Sequence, residues 1–188
     1  MGAIVLVSGF SGAGKGTIIR RALLEVPEYR MGRSVTTRPY RPGDEAMYDN
    51  VSEADFTAAL EKGDLLESNQ HFDAWYGKRV PSDDGPWVYE VDVEGAEEIR
   101  KQLPHAVKVF ILPPEPTIEN LRRRILERAE RLGDPISDEQ VDKRLGRVPH
   151  EIEFSRAHGP VFEIINDDLK VSVPLLVTFL RQQLAAHQ

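Results

Sequence analysis

Apolar and polar positions along this chain alternate in blocks. Ala3–Ser8, Trp87–Val91, Val107–Leu112 and Phe162–Asn166 are short apolar runs rich in Val, Ile or aromatic side chains. Continuous runs of that length predict strands buried on both faces of a parallel sheet. Helix-like segments lie between them, and their ends carry signals. Ser52 caps a predicted helix reaching about Lys62, with Gly63 just past its end. Thr117 opens another that Gly133 stops, and Ser137 followed by Gln140 forms a capping-box pattern for a third. A short helix is expected from Gly95 to about Gln102, ending near Pro104, and Pro174 is placed in the first turn of a last helix that includes Leu175, Leu176 and Phe179. Strands alternating with helices predict an α/β fold, a parallel sheet flanked by helices.

Two stretches interrupt that rhythm. Residues 33–79 are rich in Thr, Arg, Pro, Gly and Tyr, and residues 122–147 hold a dense set of arginines. Both read as insertions over one edge of the sheet, with a core formed by about 1–32, 80–121 and 148–188. Pro81-Ser82-Asp83-Asp84-Gly85-Pro86 is turn chemistry, a junction back to that core.

Composition narrows the function classes. The 188 residues are enough for one domain with one sizeable core, and 40% hydrophobic with 29% charged residues is the balance of a soluble globular protein. A net charge of −7 argues against general attraction to nucleic acid or to an anionic membrane. The absence of cysteine excludes disulfides and thiolate chemistry and suits a reducing compartment. The apolar start runs straight into a glycine-rich turn, so it reads as a strand rather than a signal peptide, and no apolar run is long enough for a bilayer span. A cytoplasmic protein with no membrane or nucleic-acid partner is expected, its oligomeric state left open. The five histidines show no ligand spacing, so no metal site made of protein ligands alone is indicated.

The chemistry begins at Gly9-Phe10-Ser11-Gly12-Ala13-Gly14-Lys15, which fits the G-x-x-x-x-G-K phosphate loop between a strand and a helix. Glycines let successive backbone N–H groups point inward at phosphate oxygens, and the following helix adds the positive end of its dipole. Lys15 supplies a full charge for the outer phosphates. Gly9, Ser11, Gly12, Ala13, Gly14, Lys15, Gly16 and Thr17 are therefore the candidate ATP-binding residues of a P-loop NTPase-type sheet. The Ser or Thr that usually follows the lysine is replaced by Gly16, leaving Thr17 as the candidate hydroxyl for Mg²⁺.

A phosphate loop says nucleotide without saying what is done with it. The segment Ser34-Val35-Thr36-Thr37-Arg38-Pro39-Tyr40-Arg41-Pro42-Gly43-Asp44-Glu45 resembles the guanylate kinase family. The likeness continues through Tyr48, Glu67, Tyr76-Gly77, Val91-Asp92-Val93-Glu94-Gly95-Ala96, Lys143-Arg144-Leu145 and Asn166-Asp167-Asp168, in order over nearly the whole chain. It implies that residues 33–79 are an NMP-binding insertion and that 122–147 are a lid. It also implies that Arg38, Arg41, Tyr48 and Tyr76 grip the acceptor's phosphate. By the same resemblance Glu67 accepts the N1–H and amine of guanine, Ser34 contacts the O6 edge, and Asp92 lies near the base amine. Two positions depart from the family: Lys78 stands where a serine or threonine is usual, and Glu90 where aspartate is usual. Both belong to the candidate GMP-binding set.

In the arginine-rich stretch, Arg124, Arg128 and Arg131 follow at i, i+4 and i+7 along one helical stripe, with Arg144 and Arg147 on the next predicted helix. Resemblance makes Arg124, Arg128 and Arg144, with Lys15, the catalytic cations. Arg122, Arg123 and Arg131 read as a solvated face paired to glutamates. The expected function is transfer of the γ-phosphoryl group of Mg²⁺-ATP to GMP or dGMP, giving ADP and GDP or dGDP. Two alternatives stand: a kinase for another nucleoside monophosphate, and a non-catalytic guanylate-kinase-like module that binds phosphopeptides.

Overall fold

The computed structural model describes residues 2–40, 47–71, 73–115, 117–133, 135–158 and 162–187. In chain order the elements are β1 (Ile4–Gly9), α1 (Lys15–Glu25), β2 (Arg30–Gly32), β3 (Ser34–Thr36), β4 (Tyr48–Asn50), α2 (Glu53–Glu61), β5 (Leu65–His71), β6 (Ala74–Arg79), β7 (Trp87–Glu90), α3 (Val93–Gln102), β8 (Val107–Leu112), α4 (Thr117–Leu132), α5 (Asp138–Leu145), α6 (Val148–Ala157), β9 (Phe162–Ile165) and α7 (Leu169–Ala186). Among the described residues, β2-β7-β1-β8-β9 form one parallel sheet and β4-β3-β6-β5 a second, mixed one.

The parallel sheet is held by period-two alternation in its central strand, all of which is buried. Val5 and Val7 pack with Ile18, Ile19 and Ala22 of α1 and with Leu176 and Leu180 of α7. Ile4 and Leu6 face the other way, against Tyr89, Ala96 and Ile99 beside α3. Each such aliphatic side chain contributes roughly 1.5–3 kcal/mol on burial. One strand thus anchors both helical layers and fixes where the loop after it emerges.

The four predicted strands are present as β1, β7, β8 and β9, within a residue or so at each end. A fifth, β2, joins the edge beside β7 and was not expected from its residues, Arg30-Met31-Gly32. The caps on Ser52 and Ser137 form as read, the latter as a full capping box, and Gly63 and Gly133 follow their helices at φ 74° and 60°. Other boundaries differ. Helix α3 begins two residues before Gly95 because Asp92 caps it, accepting from Gly95 N at 2.7 Å. Helix α7 begins at Leu169, capped by Asp168, so Pro174 lies inside the helix rather than in its first turn. Arg147 does not share a helix with Arg144: α5 ends at Leu145, and Arg147 precedes α6.

Residues 81–86 form no regular element but are tied to the sheet. Gly2 N donates to Asp84 O at 2.7 Å and Arg30 N to Pro86 O at 3.0 Å. Among the described residues no helix is long and apolar enough to cross a membrane.

Candidate active site

Strand β1 ends at Gly9, whose φ of 137° no L side chain adopts easily; a Cβ there would stand 2.2 Å from Ile111 O on β8. At the other end of the loop Gly14 has φ 93°, and its missing Cβ leaves room for the Asn166 side chain, whose Nδ2 lies 2.4 Å from that point. The loop is braced from behind. Asn166 Nδ2 donates to Ala13 O at 2.7 Å, Ser172 Oγ donates to Asn166 Oδ1 at 2.9 Å, and Arg124 donates to Ala13 O at 3.3 Å and Asn166 O at 2.7 Å. Burial lowers the Arg124 pKa, as does neighbouring Arg123, against Asp167 and Glu127.

Lys15 Nζ arches over the turn and donates to Gly9 O at 2.6 Å and Phe10 O at 3.1 Å. Helix α1 starts at that residue with no acidic side chain of its own in its first turn, and the positive end of its dipole faces the loop. Ser11 is exposed at the loop's tip, and Gly12, Gly16 and Thr17 are half-buried.

The second sheet supplies the other half. Strand register sets Ser34 on β3 opposite Lys78 on β6, and Lys78 opposite Glu67 on β5, so the three side chains form one row on one face. Thr36 and Tyr76 lie on that same face two residues along, while Val35 and Gly77 turn to the apolar side with Phe56 and Leu65. Glu67 reaches this face because the register shifts between Leu65 and Glu67. Without that irregularity two residues of spacing would leave Glu67 beside Leu65 on the apolar side.

Lys78 Nζ donates to Ser34 Oγ. Burial pushes the Lys78 pKa down; Glu90, Glu67 and Asp92 pull it back up, and Lys15 opposes them. The ammonium is therefore within electrostatic reach of three carboxylates and of the phosphate-loop lysine. Asn69 Nδ2 donates to Glu67 Oε2 at 3.2 Å. A Cβ on Gly95 would lie 3.0 Å from Asp92 Oδ1 and 3.4 Å from Glu67 Oε2, so these two carboxylates meet over the start of α3.

Tyr48 and Tyr76 pack edge to face, centroids 6.3 Å apart, and the Arg38 guanidinium lies 5.4 Å from the Tyr48 ring centre. Burial raises the Tyr48 pKa, helped by Glu90 and Tyr76 and opposed by Arg38 and Arg128. Arg128 is exposed on α4 and makes no hydrogen bond or ion pair among the described residues, yet its charge is felt at Tyr48. Arg144 is half-buried near the end of α5. Arg123 pairs with Glu127 as expected, whereas Arg122 pairs with Asp142 on α5 rather than with a glutamate. Arg41 lies outside the described residues.

Glu90 stands between the halves. It ends β7, its oxygen lies 2.9 Å from where a Cβ on Gly16 would be, and its charge acts on both Lys78 and Tyr48. Among the described residues its carboxylate accepts no hydrogen bond and forms no ion pair.

A further group escaped the reading of the sequence. Arg147 donates to Glu94 at 3.0 Å and lies 3.5 Å from Glu151, while His150 reaches Glu94 at 3.0 Å. Glu151 is buried, which raises its pKa; Arg147 and Lys15 oppose the shift, and Asp92 and Glu94 add to it. This cluster ties α3 to α6 behind the site. Asn166, read only within Asn166-Asp167-Asp168, is likewise buried just past the end of β9 and faces the loop.

A loop formed to cup a polyphosphate opens toward a polar sheet surface whose rim carries Arg38, Tyr48 and Tyr76. That organisation places the protein among the P-loop kinases of small phosphorylated acceptors. The guanylate kinase family model matches residues 1–183. A guanylate kinase of Symbiobacterium thermophilum is 36% identical over 180 residues, covering 92% of this chain and 81% of that one. A guanylate kinase of Nostoc is 34% identical over 182 residues, covering 92% and 86%. The crystal structure of guanylate kinase from Anaplasma phagocytophilum shares the fold, with TM-score 0.72 at 24% identity over 97% of this chain and 86% of that one. The chain belongs to the guanylate kinase family, whose members are ATP-dependent phosphotransferases.

Proposed function

We propose that the protein transfers the γ-phosphoryl group of ATP to GMP or dGMP. The observation that carries this reading is the row Ser34–Lys78–Glu67 on a sheet face whose charges are coupled to Lys15 and Glu90. A carboxylate on that row accepts two adjacent donors, the arrangement guanine presents and adenine does not. Lysine has no lone pair when charged, so Ser34 Oγ must accept from Lys78, and the Ser34 hydroxyl proton is left to donate. Ser34 therefore reads an acceptor such as O6. Asp92 has a second duty as the α3 cap, which holds its carboxylate beside Glu67.

Arg38, Arg41, Tyr48 and Tyr76 take the acceptor's phosphate, whose charge of about −1.5 to −2 must be offset beside a triphosphate. Gly9, Ser11, Gly12, Ala13, Gly14, Lys15, Gly16 and Thr17 take ATP. Among the described residues no cluster of His, Cys, Asp or Glu would hold a metal by itself, and the residues fit a cation that arrives on the nucleotide. Thr17 would hold that cation through its hydroxyl, and bound Mg²⁺ would neutralise charge on the phosphates.

Phosphoryl transfer has a loose transition state with charge spread over the moving group, so positioning and cations supply the catalysis. Arg128 and Arg144 act on residues 122–147 as a lid that closes over ATP. Arg124, already braced against Ala13 and Asn166, holds the loop to that lid. The reaction is proposed to run in the cytoplasm. A coupled assay across GMP, dGMP, AMP, UMP and CMP tests the reading: turnover is expected with a guanylate first, and preference for any other monophosphate refutes it.

A further inference from the structure

Glu67 and Asp92 are the two carboxylates assigned to the amine edge of the base, and the protein itself already satisfies part of each. Asn69 lies two residues beyond Glu67 on the same strand and face, and its Nδ2 donates to Glu67 Oε2 at 3.2 Å. Register sets Asn69 opposite Tyr76, so the rows Ser34–Lys78–Glu67 and Thr36–Tyr76–Asn69 lie side by side on that face. Asp92 Oδ1 accepts from Gly95 N at 2.7 Å. Lys78 adds an ammonium where a serine or threonine is usual, held by Ser34 Oγ and within electrostatic reach of both carboxylates. Glu67, Asn69 and Lys78 are all half-buried.

These internal donors change what a missing amine costs. Where only the ligand's N–H satisfies a buried polar group, a ligand lacking it is rejected by about 10⁴–10⁵. Here a base without the C2 amine leaves Glu67 Oε2 bonded to Asn69 and Asp92 bonded to Gly95 N, with a cation close by to offset their charge. The penalty falls to that of one hydrogen bond not made. We propose that the acceptor site takes 6-oxopurine nucleoside monophosphates as a class, the C2 amine being dispensable, so that inosine monophosphate (IMP) is phosphorylated as well as the guanylates. Asn69 is the positioning residue that makes the amine dispensable. Adenine stays outside the class: its N1 turns a lone pair toward the Glu67 carboxylate, and its C6 amine meets the Ser34 donor. The transfer itself is unchanged. A phosphate oxygen of IMP bonds to the γ-phosphorus, the bond from that phosphorus to the β–γ bridging oxygen breaks, and dianionic IMP with ATP gives IDP and ADP with no net proton. The inference rests on the guanylate reading, since it needs Glu67 on the N1 edge and Ser34 on O6.

The test follows ADP release by the full chain and its Asn69→Leu and Asn69→Gln variants, with GMP, IMP and AMP as acceptors. Leucine keeps the bulk of asparagine, removes the donor and keeps water from replacing it. The parent is expected to favour GMP over IMP by only about tenfold in kcat/KM, carried by KM with kcat within about threefold, and GMP over AMP by about a thousandfold or more. Asn69→Leu should widen the GMP-over-IMP ratio to about a hundredfold or more by raising KM for IMP further than KM for GMP. Asn69→Gln keeps an amide donor and should fall between the two. A parent that rejects IMP by about a thousandfold or more overturns the proposal, as does an Asn69→Leu ratio equal to the parent's, or AMP used as well as IMP. If Asn69→Leu does not fold, the ratios of the parent and Asn69→Gln decide. A chain that turns over neither GMP nor IMP overturns the inference together with the guanylate reading; GMP turnover without IMP turnover overturns the inference alone.

Discussion

Replacing Lys78 with Met keeps the length of the side chain and removes its donor and its charge. Ser34 is 3% exposed, so water cannot easily stand in for the lost partner. An unsatisfied buried hydroxyl costs about 1–3 kcal/mol, which Ser34 avoids by rotating toward another acceptor, away from the base. Glu67, Glu90 and Asp92 also lose the cation between them, and repulsion displaces Glu67. Together these effects correspond to a rise of about 10- to 100-fold in KM for GMP. ATP contacts are untouched, so KM for ATP should stay within about twofold in the same ADP-release assay. The pH profile carries a second signature. Because burial holds the Lys78 pKa below its ordinary value, the parent loses this charge, and with it GMP affinity, at pH below the usual lysine range near 10.4. Lys78→Met should lack that alkaline limb. An unchanged KM for GMP, or equal losses for GMP and ATP, would refute the reasoning.

Lys15→Ala should lower kcat by about a hundredfold or more, since it removes a charge placed on the transferring phosphates, while GMP binding by calorimetry stays within about twofold. Glu67→Gln should raise KM for GMP selectively by about tenfold or more, because an amide cannot accept both guanine donors; an unmoved GMP/AMP ratio would show that another carboxylate reads the base. Asp49 carries a pH-linked part of stability on the opposite face of the small sheet. Burial alone would raise its pKa, but hydrogen bonds from Arg79 at 3.0 Å and Arg33 at 2.8 Å outweigh that and lower it. A carboxyl whose folded pKa lies below its unfolded one stabilises above the unfolded value and loses that contribution as pH falls through the folded one. Asp49→Asn should therefore cost about 1 kcal/mol in urea melts at pH 7, the difference shrinking below about pH 4.

The parallel core was legible because β1, β7 and β8 are largely buried on both faces and so read as apolar runs, while the edge strand β9, with only Ile164 buried, was still apolar enough to be read. Strand β2 was not. It is three residues long, opens on an exposed arginine and closes on Gly32, which lies flat against Tyr89: a Cβ there would fall 2.1 Å from the ring. The mixed sheet was hidden for a related reason. One of its faces is the site, so Ser34, Thr36, Tyr76 and Lys78 are polar where a core strand would be apolar, and β3 and β4 are only three residues each. The phosphate loop could be read because its glycines, lysine and flanking elements are local in sequence. The face chosen by Glu67 could not, since it depends on a register shift between strands. Pro174 misled in the same way: its preference for a first helical turn yielded to the Asp168 cap and the Ser172 bonds to Asp168 and Asn166.

The central claim is that two binding sites, one on each sheet, meet at Glu90 with their phosphates end to end. Titration of a single molecule carrying adenosine and guanosine joined through five phosphates tests it most directly. One molecule is expected to bind per chain, displaced by either ATP or GMP. Two molecules per chain, or displacement by one nucleotide and not the other, would contradict it.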